Sequence, residues 1–133
     1  MRALAGFAAL ILAWGYLVPS AALAAASGQV HHLATDKNQV SAKRGGPWTP
    51  RFEALFKRAG MKLDTEANKV VVLDHHGPHS EAYHQEVLDR LTAALVGAKT
   101  TAQCRKALTA ELSSMKREIN RRGSKLYRLL HQT

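Results

Sequence analysis

Apolar residues at helical spacing mark the segment TPRFEALFKRAG, residues 49–60, as the first helix of the chain. Its phenylalanines, its leucine and its second alanine lie three and four residues apart, which places them on one face of an α-helix. Thr49 is a typical N-cap residue, and Pro50 suits the first helical position because an N–H group there would have no partner. Gly60 is typical of the position just beyond a helix C-terminus. The pattern therefore predicts a helix between these boundaries.

Two longer helical patterns follow in the second half of the chain. The first ends at Gly97, and Pro78 is predicted to lie in its first turn. The second runs from Thr101 to Arg122 and ends at Gly123. Their apolar faces consist of His84, Val87, Leu88, Leu91 and Leu95 in the first helix and of Leu108, Leu112, Met115 and Ile119 in the second. Because His84 belongs to an apolar stripe, its side chain is expected to point towards the core.

Strand-forming residues occur in two short segments. QVHHLAT, residues 29–35, is apolar and rich in residues that favour strands, and KVVVL, residues 69–73, is β-branched. The loop DKNQVSAKRGGPWTP after the first segment is full of turn formers, and so is the segment 64–68 before the second. Since strands and helices are mixed along the chain, the pattern predicts an α+β fold.

The first 26 residues have the layout of a secretory signal peptide. Arg2 precedes an apolar run over residues 4–18, and small residues lead to a predicted cleavage site at Ala24–Ala26. The apolar run is shorter than the roughly 18 to 20 residues that span a membrane. We therefore expect export to the periplasm or secretion, removal of residues 1–26, and no stable membrane anchor afterwards.

Positive charge is concentrated in the C-terminal part of the chain. Residues 27–98 contain nine basic and eight acidic residues, whereas residues 99–133 contain nine basic and two acidic ones, a net +7. Such a segment suits nucleic-acid phosphates or an anionic membrane surface, but a solvated helix face has the same composition. The predicted nucleic-acid contacts are Arg105, Lys106, Lys116, Arg117, Arg121 and Arg122.

Six of the seven histidines lie in two groups, the pair His31–His32 and the segment HHGPHSEAYH at residues 75–84. Neutral imidazole is a common ligand of zinc and nickel, and its pKa suits proton transfer near neutral pH. With Cys104 as the only cysteine, no internal disulfide can form, and a site with open positions for water or substrate is favoured over a closed structural zinc site. His131, isolated near the C-terminus, is interpreted as non-functional.

Three interpretations of these histidines are open: a catalytic metal site, structural or adventitious metal binding, and no metal. Neighbouring residues of a strand point to opposite faces, so His31 and His32 are expected to have different tasks. His79 in the first turn of a helix can bend back while His84 projects from the second turn, so both can approach one ion.

The ordered set of HH at residues 31–32, FEALFKRAGMKLDTEANKVVVL and HHGPHSEAYHQEV resembles the AHH-type nucleases of the HNH/endonuclease VII superfamily over residues 29–96. It is also similar to a paralogous family of small exported proteins and lipoproteins of predatory myxobacteria. The resemblance implies a ββα-metal, treble-clef-like core in residues 27–98, where a hairpin and a helix hold one divalent ion beside the scissile phosphate. Residues 99–133 are then predicted as an added basic helical extension.

The resemblance also implies a role for each matching residue. His31 would be a metal ligand, and His32 would be the general base that deprotonates the attacking water. The implied metal ligands are His31, His79 and His84, the implied catalytic residues are His32 and Asn68, which would brace the hairpin or the base, and the further candidates are His75, His76 and Tyr83. Val30 stands where the family name has alanine.

The expected function is that of a metal-dependent endonuclease that hydrolyses phosphodiester bonds of DNA, with RNA as a second substrate. It would use one divalent ion, zinc, nickel or magnesium. Two roles are open for such an exported nuclease: a secreted toxin, with an immunity protein as a candidate partner, and a scavenging nuclease. One alternative is a non-catalytic exported protein that binds a metal or a surface with the same scaffold. Another is a membrane-directed protein whose basic C-terminal helix acts on anionic lipid.

Overall fold

The computed structural model describes residues 28–75 and 77–132. The predicted signal peptide over residues 1–26 lies outside the described residues and stays a prediction. The described residues form an α+β fold, which confirms the predicted class, and none of their helices is long and apolar enough to cross a membrane. The strands are β1 (Gln29–His32) and β2 (Lys69–Val72), and the helices are α1 (Thr49–Arg58), α2 (Glu81–Ala94), α3 (Thr101–Ile119) and α4 (Lys125–Leu130).

The two strands form one antiparallel sheet in which Gln29 pairs with Val72 and His32 pairs with Lys69. Helix α1 lies in the connection between the strands, and α2 follows β2. The β-branched residues of β2 suit a pleated, half-buried surface, and its last residue, Val72, is fully buried. Strands β1 and β2 together with α2 therefore form the ββα unit that the resemblance implies, with α1 inserted between the strands.

Helix α2 begins at Glu81, so the prediction that Pro78 lies in its first turn is wrong. Ser80 is the N-cap, and its hydroxyl accepts a hydrogen bond from the Tyr83 N–H at 3.2 Å. This bond satisfies an amide that has no partner within the helix, which is why serine sets the start of the helix. As a consequence His79 lies just before the helix and not in its first turn.

The predicted helix from residue 101 to residue 122 corresponds to α3, and a separate short helix, α4, follows it. Helix α3 ends at Ile119, and Ser124 caps α4 by accepting a hydrogen bond from the Tyr127 N–H at 3.0 Å. Between the two helices Gly123 adopts a φ of 81°, a left-handed conformation that favours glycine. The turn directs α4 back towards the start of α2, where the Ser80 hydroxyl donates a hydrogen bond to the Leu129 carbonyl at 3.1 Å.

One hydrophobic core joins the four helices to the sheet. Burial of a leucine or phenylalanine side chain stabilises a fold by about 1.5–3 kcal/mol. Between α2 and α3, Arg90 adds ion pairs to Glu111 and Glu118, each with an N–O distance of 2.6 Å. The basic C-terminal segment therefore packs into the same folded unit as the residues before position 98. Its fully buried members are Leu108, Leu112, Met115, Ile119 and Leu126.

Candidate metal centre and cleft

Three imidazoles meet where β1, the turn after β2 and the start of α2 come together. The ring centroid of His31 lies 5.3 Å from that of His75 and 5.4 Å from that of His79, and the last two are 5.2 Å apart. One ligand nitrogen from each ring lies within 4.8 Å of the other two. We call these three residues the imidazole cluster. In the part of the chain that the structure describes, it is the group that can hold a metal ion.

Local structure explains how distant residues reach this point. His31 is held in β1, where it pairs with Val70 of β2. Beyond β2 the backbone of Asp74 adopts a left-handed φ of 56°, which bends the chain before His75. His79 directly precedes Ser80, so the cap that starts α2 also fixes its position. The cluster therefore depends on one strand, one tight turn and one helix start.

The chemistry of the cluster fits a divalent ion with nitrogen ligands. Burial lowers the pKa of His79 to about 3, and repulsion from the neighbouring imidazoles of His84, His75 and His31 adds to the effect. His79 is therefore neutral at pH 7, the form in which an imidazole binds a metal. Imidazole suits zinc and nickel, whereas magnesium prefers oxygen ligands, so magnesium fits this donor set least well.

His84 lies behind the cluster and not in it. Its ring stacks on Trp48 with centroids 5.3 Å apart and is 5.5 Å from the ring of His79. Burial first, and then the charge of Arg44, lowers the pKa of His84 to about 4. Its Nδ1 is buried and has no hydrogen-bond partner among the described residues. The third member of the cluster is thus His75 and not His84. The ligand role predicted for His84 stays a prediction.

His32 lies beside two carboxylates. Its Nδ1 is 3.6 Å from Asp36 Oδ1, and its Nε2 is 3.3 Å from Asp64 Oδ1. The hydrogen bond from Lys69, and then the one from His32, lowers the pKa of the exposed Asp64 carboxyl, which therefore carries a negative charge. His32 lines a cleft of about 420 Å³ together with His31 and His79. We call it the first cleft. It brings the pair His31–His32 and His79 to one surface.

Two further predicted site residues, Tyr83 and Asn68, are buried and hold the backbone that follows His32. The Tyr83 hydroxyl donates a hydrogen bond to the Leu33 carbonyl at 3.3 Å, and its ring lies 4.5 Å from that of His79. Complete burial raises the pKa of Tyr83, so its hydroxyl stays protonated. Asn68 is also fully buried and ties the residues after His32 in place. His76 lies outside the described residues.

The Asn68 side chain bonds to three backbone groups. Its Oδ1 accepts a hydrogen bond from the Ala34 N–H at 2.8 Å, and its Nδ2 donates to the carbonyls of Ala34 at 2.8 Å and Leu63 at 2.9 Å. Replacing Asn68 with alanine is expected to lower the free energy of unfolding by about 3 kcal/mol or more, because a buried polar group without a partner costs about 1–3 kcal/mol. Urea denaturation measures this difference.

A matched control is Asn120→Ala. Asn120 also bonds to two backbone groups, the Leu73 N–H at 3.2 Å and the Val71 carbonyl at 2.7 Å, but it is exposed. Water can replace these partners, so the expected loss is below about 1 kcal/mol. Equal losses in the two variants would contradict the role of Asn68 as a buried brace.

The predicted nucleic-acid contacts differ in what their side chains do. Arg105 donates hydrogen bonds to the Ala59 and Gly60 carbonyls at 3.0 and 3.3 Å, so it holds the end of α1. Lys116 donates to the Glu66 carbonyl at 2.6 Å and anchors the turn before β2. Arg117 donates to the Ser113 hydroxyl at 2.9 Å. The remaining three, Lys106, Arg121 and Arg122, are exposed.

Sequence reasoning missed residues that the fold brings to the site. Arg44 and Lys37 line the first cleft, and Asp36 lies against His32. Their only signal in the sequence is membership of the turn-rich loop, where cations and carboxylates are common. His131, interpreted above as isolated, has its ring centroid 5.5 Å from that of His75. Only the return of α4 explains this contact, and no sequence pattern marks it.

The fold and the site define a small α+β protein with an imidazole cluster beside a further histidine in an open cleft. The chain belongs to a nuclease family of the HNH/ENDO VII superfamily with conserved AHH, whose family model matches residues 20–119. This confirms the predicted family. No curated protein and no solved structure matches the chain. Val30, which stands in place of the alanine of AHH, is 66% exposed, so its larger side chain fits without crowding the core.

Proposed function

We propose that the protein is a metal-dependent endonuclease that hydrolyses phosphodiester bonds in DNA, with RNA as a second substrate. The observation that carries the proposal is the imidazole cluster, two of whose members, His31 and His79, line the same cleft as His32 in a member of a nuclease family. The toxin role and an immunity protein stay predictions from the sequence, because none of the described residues bears on them.

In this proposal the imidazole cluster holds one divalent ion. When bound, the ion would offset the negative charge that builds up on the phosphate and on the leaving oxygen during hydrolysis. The cluster has no carboxylate member, so its three neutral nitrogens leave the full charge of the ion available to the substrate. Tyr83 and Asn68 contribute by hydrogen bonding to the backbone of Leu33 and Ala34, directly after the pair His31–His32.

His32 serves as the general base that removes a proton from the attacking water. A base needs one ring nitrogen that faces the water, and a carboxylate at the other nitrogen orients the ring and stabilises its protonated form. Asp36, whose side chain is 24% exposed, is suited to this orienting position at Nδ1. Asp64 at Nε2 is 74% exposed and can move away from the ring when the negatively charged substrate enters.

The exposed cations of α3 and of the turn after it would attract the nucleic-acid backbone without reading its sequence. Lys106, Arg121 and Arg122 are suited to this because their side chains face solvent. Arg105 and Lys116 anchor neighbouring loops through backbone carbonyls, so their replacement would disturb the fold as well as binding.

Plasmid nicking tests the proposal. Purified protein stripped with a chelator is expected to leave a supercoiled plasmid intact, and resupply of a divalent ion is expected to restore nicking. Because the donor set is made of imidazoles, zinc or nickel is expected to bind more tightly than magnesium. Tight metal binding without any cleavage, across zinc, nickel, manganese and magnesium, would instead favour a non-catalytic metal-binding protein.

A further inference from the structure

Arg44 lies between two clefts that flank the imidazole cluster. It lines the first cleft together with His31 and His79. It also lines a second cleft of about 470 Å³, whose wall includes His75 and His131. The exposed guanidinium therefore lies beside the cluster on the surface that a substrate must reach.

The loop that carries Arg44 is held by the core. The Trp48 indole N–H donates a hydrogen bond to the Arg44 carbonyl at 2.6 Å, and Trp48 itself is buried. A Cβ at Gly46 would lie 2.2 Å from the Ser41 carbonyl oxygen, so the chain can pass this point only with glycine. The position of Arg44 is thus set by packing and not by the flexibility of the loop.

The backbone of Arg44 is in the left-handed region, with φ 51° and ψ 46°. This conformation is costly for a residue with a Cβ and is normally occupied by glycine or asparagine. A strained residue beside a candidate active site calls for a functional explanation, because glycine would satisfy the turn at lower cost. The arginine side chain is the feature that glycine would lack.

The charge of Arg44 is not neutralised within the described part of the chain, where no ion pair involves it. The other cation of the first cleft, Lys37, forms an ion pair with Asp36 at 3.4 Å. The wall of the first cleft has one carboxylate, Asp36, beside these two cations, whereas the wall of the second has two carboxylates, Asp74 and Glu81, beside Arg44. Arg44 and His84 both line the first cleft. An anion is therefore better accommodated in the first cleft.

We propose that Arg44 forms a phosphate subsite, in which its guanidinium binds the DNA phosphodiester that lies in the first cleft next to the imidazole cluster. The planar guanidinium can donate two parallel hydrogen bonds to one phosphate, which lysine cannot do. Arg44 thereby positions the phosphate for attack from the side of His32. This inference rests on the proposed nuclease function for its substrate class, but the binding step can be measured by itself.

The test compares Arg44→Gly, Arg44→Lys and a control, Lys43→Ala. Glycine accepts the left-handed backbone without strain, so the loop keeps its shape. Lys43 is the neighbouring exposed cation and lines neither cleft, so its replacement removes the same charge from the same loop. Fluorescence anisotropy with a labelled DNA duplex in the presence of a chelator gives the dissociation constant without cleavage.

Arg44→Gly is expected to weaken DNA binding about tenfold, the usual loss for a charge-assisted hydrogen-bonded pair. It is also expected to reduce the salt dependence of the binding constant by about one phosphate contact, and Arg44→Lys should recover only part of the affinity. Lys43→Ala should leave the affinity within about twofold. In the nicking assay the KM of Arg44→Gly should rise.

Equal effects of Arg44→Gly and Lys43→Ala would overturn the subsite, because the loop would then supply only general positive charge. A wild-type protein that cleaves DNA with no loss in Arg44→Gly would overturn it as well, and the nuclease proposal would stand. A protein that binds DNA through Arg44 but never cleaves it would keep the subsite and overturn the nuclease function. Absence of DNA binding by the wild-type protein in this assay would overturn the subsite, and the nicking assay with added metal would decide the nuclease proposal separately.

Discussion

Replacing His32 with alanine is expected to slow plasmid nicking by about 10²–10⁴-fold, the range that a positioned general base contributes. His32 lines the first cleft together with His31 and His79 but is not a member of the imidazole cluster. Asp36 Oδ1 lies 3.6 Å from its Nδ1. Alanine cannot take the proton of the attacking water, so the chemical step should slow while binding persists. Single-turnover nicking with the metal at saturation measures this step.

The matched control for His32 is Gln29→Ala, an exposed residue of the same strand. Its nicking rate is expected to stay within about twofold of the wild type, as for most surface substitutions. Added imidazole should restore part of the activity of His32→Ala, because it supplies the missing base without changing the fold. If His32→Ala nicks at the wild-type rate, another group is the base.

Replacing His75 with phenylalanine is expected to weaken zinc binding by at least about 100-fold. Loss of a group that only orients a ligand already weakens metal binding by about 10- to 100-fold, and loss of the ligand itself should cost at least as much. Replacing His84 with phenylalanine should leave zinc binding intact. The reason is geometric: a nitrogen of His75 lies within 4.8 Å of ligand nitrogens of His31 and His79, whereas His84 is outside that group. Competition with a chromophoric chelator measures the zinc affinity.

Phenylalanine is chosen because it keeps a ring against Trp48 at position 84 and removes only the nitrogens. His79→Phe serves as the positive control, since His79 belongs to both ligand sets. At a zinc concentration 100 times the dissociation constant, binding stabilises a folded protein by about 2.7 kcal/mol, and this gain should vanish in His75→Phe. Loss of zinc binding in His84→Phe together with its retention in His75→Phe would show that the ligand set implied by the resemblance is the correct one.

Helix positions were predictable because local spacing carries the information. The apolar stripe over residues 49–60 matches α1, and the stripe that contains His84 matches α2. The start of α2 was misplaced because Pro78 and Ser80 are both plausible start signals, and the hydrogen bond from the Tyr83 amide to the Ser80 hydroxyl decides between them. Helix α4 was not predicted, because its 6 residues are too few to show a helical period and its start depends on the hydrogen bond from the Tyr127 amide to the Ser124 hydroxyl.

The candidate site was predictable only in part. Two of the predicted metal ligands, His31 and His79, lie in the imidazole cluster. The strand that carries His31 was correctly recognised, and His79 lies close to the start of α2 although that start was misplaced. His75 is the third member of the cluster because the left-handed turn at Asp74 directs it towards His31 and His79. The ring of His84 instead stacks on that of Trp48 and lies outside the cluster. Side-chain packing across the fold decides such choices, and no local pattern records it.

By itself the sequence determined the α+β class, the membership of a nuclease family and the two groups of histidines, since each depends on residues close together in the chain. Only the tertiary structure decided which imidazoles meet, that Arg44 stands beside them without an acidic partner in the described part of the chain, and that α4 returns to place His131 against His75. The reason is that these contacts join segments far apart in sequence, and their distances follow from the packing of helices around a common core.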